Sequence, residues 1–223
     1  PNSIVPAGSP RIFVPRFRKV FVDHFLGDAL EGRFNLSTQG TPTTGVIRDA
    51  QHGILRLALA STSEAETNEL NFGDLLQFNC NEGLVMEVGF AITAALSSVE
   101  RVVIGFGSAR NNTYDSVVTN IWFRADGDMN LTTESDDGTT DTDDKDTAQD
   151  LTANVFHFLR IDCGKGANDV KFYSGASMPT AVNTGTTFKA GSNLVQPIIG
   201  IQKDSGGATS AIDIDYIGIF ARR

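Results

Sequence analysis

The chain has 223 residues, 40% of them hydrophobic, with 15 Phe, 22 Gly and a formal net charge of -9. A chain of this length can bury a core without disulfide or metal staples, and Cys80 and Cys163 are too few and too widely spaced for a disulfide framework, so buried free thiols are expected. An acidic protein is a poor wrapper of nucleic acid, whose phosphates repel it; no apolar run is long enough to span a membrane and no secretory leader is visible, so synthesis in a host cytoplasm is expected, with neither nucleic acid nor membrane as partner.

Residues 1–18 read as an extended arm. Pro1, Pro6, Pro10 and Pro15 recur every four or five residues; each removes a backbone donor and fixes φ, which argues against helix and central strand. Apolar surface on a tail marks a contact. The predicted partner-binding set is therefore Ile4, Val5, Arg11, Ile12, Phe13, Val14, Arg16, Phe17 and Arg18, docked on an acidic protein neighbour. Folding back over its own domain is the alternative.

From residue 19 the period changes to two. Leu55, Leu57 and Leu59 alternate with Arg56 and Ala58. Residues 60–70 hold some helix formers, and Glu64, Glu66 and Glu69 suggest a solvated turn or short helix. Leu84, Met86, Val88, Phe90 and Ile92 alternate next, then Val102, Ile104 and Phe106, then Ile121 and Phe123. Residues 126–150 carry ten acids against one base, Lys145, a net charge equal to that of the whole chain. The part from 132 to 150 is rich in Asp and Thr and reads as a surface loop or short polar hairpin. Val170 and Phe172 resume the alternation. Such alternation gives each strand one core face and one outer face. Roughly twelve strands separated by Gly-rich turns predict two packed antiparallel sheets, in one domain over residues 19–223.

Three stretches together resemble the concanavalin-like jelly-roll modules of lectins, laminin-G-type domains and related glucanases. Val22-Asp23-His24-Phe25-Leu26-Gly27-Asp28 with Gly32-Arg33-Phe34-Asn35 is similar to their opening strand pair, with Phe34 where Trp is common. Phe156-His157-Phe158-Leu159-Arg160-Ile161-Asp162 with Asp169-Val170-Lys171-Phe172-Tyr173 resembles their central hairpin. Ile212-Asp213-Ile214-Asp215-Tyr216-Ile217-Gly218-Ile219-Phe220 resembles the closing strand. The resemblance implies an all-β, antiparallel two-sheet jelly-roll β-sandwich. Residues 109–115 and 126–131 also resemble jelly-roll proteins of tailed-bacteriophage particles, such as head decoration proteins.

Chemistry is sparse along the chain. The glucanase branch needs two carboxylates about the scissile bond, written along a strand as Glu-x-Asp-x-x-Glu. Only Glu64-Ala-Glu66-Thr-Asn-Glu69 comes near it, so the chain is expected not to be an enzyme. His157 is expected to hydrogen-bond inside the sandwich. Asp126, Asp128 and Asn130 alternate and are the candidate ligands for a calcium ion, the one cofactor considered, since loops of this kind supply oxygen donors; jelly-roll lectins often hold calcium beside the glycan. Tyr114 and Trp122 are the candidate glycan-stacking aromatics. The leading expectation is a structural virion protein, a capsid decoration or cement protein held on the major capsid protein by its arm as a dimer or trimer. The alternative is a carbohydrate-binding, lectin-like module on a phage head, tail or fibre.

Overall fold

The computed structural model describes residues 17–27, 29–48, 53–175, 180–183, 188–191 and 193–222. Ile4, Val5, Arg11, Ile12, Phe13, Val14 and Arg16 of the expected arm lie outside the described residues. Its last two positions, Phe17 and Arg18, belong to the first strand, so the sandwich begins at residue 17 rather than 19.

Fifteen strands form among the described residues. They are β1 (Phe17–Asp23), β2 (Asn35–Gln39), β3 (Thr43–Arg48), β4 (Ile54–Ala58), β5 (Glu66–Asn71), β6 (Val85–Ile92), β7 (Glu100–Gly107), β8 (Asn120–Asp126), β9 (Asn130–Asp136), β10 (Asp141–Asp150), β11 (His157–Asp162), β12 (Lys171–Gly175), β13 (Thr180–Asn183), β14 (Gln196–Lys203) and β15 (Ala211–Arg222). The first sheet runs β13-β12-β11-β6-β15-β4-β3, and β1 adds to the second half of β15. The second runs β10-β9-β8-β7-β14-β5-β2. The two antiparallel sheets are those the alternation predicts, and the jelly roll is what the resemblance implies.

The inward set of each strand makes one core between the sheets. Met86, Val88 and Phe90 from β6 meet Val102, Ile104 and Phe106 from β7, with Ile121, Phe123, Ile199 and Ile201. On β15 the inward parity changes: Ile212 and Ile214 face in, and so do Ile217 and Ile219. A bulge between Ile214 and Tyr216 inserts the extra residue that permits this. Phenylalanines close one end, with ring centroids 4.8 Å apart for Phe21–Phe34, 5.6 Å for Phe34–Phe72 and 5.9 Å for Phe72–Phe78. Cys80 and Cys163 are free and fully buried. Contact with Cys80 and burial together push the Cys163 thiol well above its ordinary pKa.

Two stretches are more regular than expected. Residues 66–71 form a strand buried along its length, not a solvated turn. Glu66 and Glu69 are three apart on it, an odd separation, and so face opposite sides. Glu66 turns toward Lys203, both fully buried, with Nζ 3.4 Å from Oε2. Residues 130–150 form the polar hairpin of β9 and β10, which becomes the sheet's edge. Thr147 Oγ1 donates to Leu131 O at 2.6 Å, and the Asp side chains charge the edge, which discourages pairing with another sheet.

Candidate functional site

The outer face of the second sheet gathers the polar side chains. Along β8, Ile121, Phe123 and Ala125 enter the core, which sends Asn120, Trp122, Arg124 and Asp126 outward. Register places Trp122 opposite Glu134 and Asn120 opposite Asp136 of β9. Further across the sheet, Val103 of β7, Gly200 and Ile198 of β14 and Glu69 of β5 share the face.

The segment from 108 to 119 leaves β7, lies over this face and returns as β8. Its short 3-10 turn, Tyr114–Ser116, sets Tyr114 against Trp122, with centroids 6.1 Å apart. Those two rings, with Val103, Val117 and Ile198, form a small second core. Gln202 Oε1 accepts from Tyr114 N at 3.2 Å, and Asn112 O accepts from Thr67 Oγ1 at 3.3 Å. Glu69 is sealed beneath the segment. Burial, aided by the charge of Asp74 and opposed by Asn71 and Arg110, raises its pKa to about 7.

Beyond the segment the face stays open as a cleft of about 340 Å³. β8 supplies Asn120 and Arg124, β9 supplies Glu134 and Asp136, β10 supplies Asp141, Asp143 and Asp144, and the turn supplies Asp115. Arg124 is the hub. Its Nη1 lies 2.7 Å from Asp115 Oδ1 and 3.1 Å from Glu134 Oε2, and Nη2 donates to Asp126 Oδ2 at 2.7 Å. Burial works against that charge, but the carboxylates outweigh it and raise the guanidinium pKa. Asn120 Nδ2 donates to Glu134 Oε1 at 2.7 Å. Three buried polar atoms on β8 have no hydrogen-bond partner: the acceptor Asn120 Oδ1 and the donors Trp122 Nε1 and Arg124 Nε.

Two carboxyls here hold protons more tightly than usual. Burial raises Glu134, although Trp122, Arg124 and Asn120 pull against it. Asp141 is pushed up to about 6, first by partial desolvation, then by its hydrogen bond to Asp143 and the charges of Asp143, Asp136 and Glu134. A second cleft, of about 290 Å³, lies on the other sheet beside Asp162, Lys171 and Tyr173. Its charges are matched, Lys165 and Lys171 each lying 3.8 Å from Asp169, so it offers less to a ligand.

The residues picked from sequence divide clearly. Tyr114 and Trp122 do meet on the outer face, but both are buried, at 1% and 0% exposure. They are the floor under the 108–119 segment rather than an exposed stacking platform. Asp126 is taken by Arg101 at 3.0 Å and Arg124, and Asp128 Oδ1 accepts from Asn130 N at 2.9 Å within the turn. Asp126, Asp128 and Asn130 thus make an ion-paired turn, and among the described residues no group of three or more His, Cys, Asp or Glu is arranged to hold a metal ion. His157 Nε2 accepts from Thr152 N at 3.2 Å, as expected of a histidine inside the sandwich, and burial lowers its pKa. Sequence reasoning missed Asn120, Arg124 and Glu134. Outward parity on β8 and β9 was the available signal.

No protein-family model and no curated protein sequence matches the chain. Solved structures do resemble it. A protein of unknown function from Shewanella oneidensis MR-1 superposes with TM-score 0.67 at 14% identity, over 91% of this chain and 85% of that one. A laminarinase from Flavobacterium sp. UMI-01 gives 0.64 at 11% identity, over 90% and 98%. The carbohydrate recognition domain of Emp47p gives 0.59 at 13% identity, over 92% and 95%. The likeness establishes the concanavalin-like jelly-roll fold. It also corrects the expectation of a non-enzyme, because the fold carries a laminarinase. That expectation rested on one linear motif, whereas here folding assembles carboxyls from β9, β10 and the 114–116 turn. None of these three structures is named as a phage protein.

Proposed function

We propose that this chain is a carbohydrate-recognition domain that holds a glycan in the cleft on the outer face of β8, β9 and β10. One observation carries the reading: Asn120 and Arg124, two residues on one strand face that line the open cleft, each hold a buried polar atom without a partner, the acceptor Oδ1 and the donor Nε. A sugar hydroxyl both donates and accepts, so the hydroxyls of a bound glycan can answer both kinds of atom, and leaving them buried and unpaired otherwise costs about 1–3 kcal/mol each. The carbohydrate recognition domain among the similar folds supports the same reading. The test is a glycan array spanning neutral, acidic and amino sugars, with the wild type beside Asn120→Ala and Arg124→Lys. Binding that falls at least tenfold in both variants is expected. Binding that is unchanged in both, or absent from the whole array, overturns the reading.

A second reading, hydrolysis of the bound glycan, is favoured by the carboxyls. Glycosidases need one protonated acid and one ionised carboxylate about the bond. Glu134 and Asp141 have raised pKa values, while Asp115 is held by Arg124. Reducing-end release from laminarin, abolished by Glu134→Gln, is the expected result under this reading; no release by the wild type sinks it. The virion-decoration role now rests on the sequence resemblance alone. Its arm lies almost wholly outside the described residues.

A further inference from the structure

The cleft is unbalanced in charge, and the imbalance identifies the kind of sugar it suits. Six of its lining residues are carboxylic acids and one, Arg124, is a base. Arg124 is already matched by Asp115, Asp126 and Glu134. The remaining four, Asp136, Asp141, Asp143 and Asp144, form no ion pair among the described residues. Local bonds occupy some of their oxygens, with Gly138 N donating to Asp136 at 2.7 Å and Thr132 Oγ1 to Asp144 at 3.3 Å. Neither bond supplies charge. The raised pKa of Asp141, due to partial desolvation and then to its acidic neighbours, is a sign of the same unrelieved field. At the head of this row sits Asn120, 3% exposed, whose Oδ1 has no donor.

We propose that the cleft selects glycans bearing protonated amino groups, glucosamine-type sugars, with Asn120 and Arg124 meeting hydroxyls and the Asp136–Asp144 carboxylates meeting the ammonium groups. The inference rests on the carbohydrate reading and narrows it. When ionised, everything the row presents to a ligand is an acceptor, and an ammonium is the donor-only group that answers it. Like charge would exclude uronic-acid and sulfated glycans. A bare divalent cation is a worse fit. It needs six to eight converging oxygens, and the acids are spread over two strands with no three of them grouped around a common point.

The experiment is calorimetric titration of the full chain near pH 6 with four probes: a β-linked glucosamine tetramer, its fully N-acetylated counterpart, tetralysine and calcium chloride. The same titrations are made on Asp141→Asn/Asp143→Asn, a pair on the exposed edge strand, and on Asn120→Ala; the fluorescence of Trp122 reports folding of each. Expected is glucosamine binding at least tenfold tighter than its N-acetylated form and than tetralysine. Both variants should lose at least tenfold, and added salt should weaken the wild type. Equal binding of the two sugars, untouched by the double variant, overturns the charge selection and leaves the carbohydrate reading standing. Tetralysine binding as tight as the glucosamine tetramer overturns the sugar requirement, and calcium binding without sugar binding overturns the inference in favour of a cation site. If no probe binds, the inference fails, and the glycan array separately decides the broader reading.

Discussion

A Cβ on Gly200 would collide with the Tyr114 hydroxyl oxygen, so the absence of a side chain on β14 is what lets the 108–119 segment lie down on the sheet. The ring then covers Trp122, the only tryptophan of the chain.

Gly200→Ala should therefore lift Tyr114 and partly uncover Trp122. Overpacking of this kind costs about 1–3 kcal/mol. The readout is tryptophan emission, expected to shift to the red, together with a lower urea midpoint. Unchanged emission and midpoint would mean that the segment accommodates the methyl without moving.

Glu69 should make stability fall as pH rises. Its folded pKa of about 7 lies above the ordinary carboxyl value near 4.5. Below that ordinary value both folded and unfolded chains are protonated there, and its contribution to stability is fully present. As pH rises toward 7 the unfolded chain ionises first, and stability is lost, by on the order of 3 kcal/mol in total. Glu134 and Asp141, also raised, slope the same way. Glu69→Gln keeps an acceptor for Asn71 and should remove its share, so that the variant gains on wild type between pH 5 and 8 in denaturant titrations. Parallel curves for the two proteins would refute the assignment.

Lys203→Met should be among the most damaging single changes. Lys203 Nζ donates to Ala60 O at 2.5 Å and Thr62 O at 2.7 Å, and it neutralises buried Glu66. Removing one partner of a buried pair costs about 3–5 kcal/mol. Adding Glu66→Gln should restore part of that loss. A double variant no more stable than Lys203→Met would show that the carbonyl contacts, not the charge, are what Lys203 serves.

The thiols offer a check on the core. Cys80 and Cys163 are buried, and the thiolate of Cys163 is disfavoured. Reaction with an aromatic disulfide reagent should be negligible in the native chain and complete for two thiols in denaturant. Rapid native reaction of either would place it nearer to solvent than the fold does.

The sequence by itself determined the fold class, because a period of two is a local property. Leu84 to Ile92 and Val102 to Phe106 declare their inward faces without reference to any partner, and the two-sheet sandwich follows. It also marked His157 as an internal hydrogen-bonding residue and the two cysteines as buried. What it could not determine was which outward residues meet. Asn120 and Arg124 are two turns of the same alternation that gave the core, but their meaning comes from Glu134 across the hairpin, Asp141 and Asp143 on the edge strand, and Asp115 on a segment folded back over the face. A charge run such as 126–150 looks alike whether it is solvated or lines a cleft. Only strand register decides that, since a shift of one residue would send Glu134 into the core and Thr133 into the cleft. The same register, closed over by the 108–119 segment, is what turned Tyr114 and Trp122 from candidate sugar platforms into buried floor.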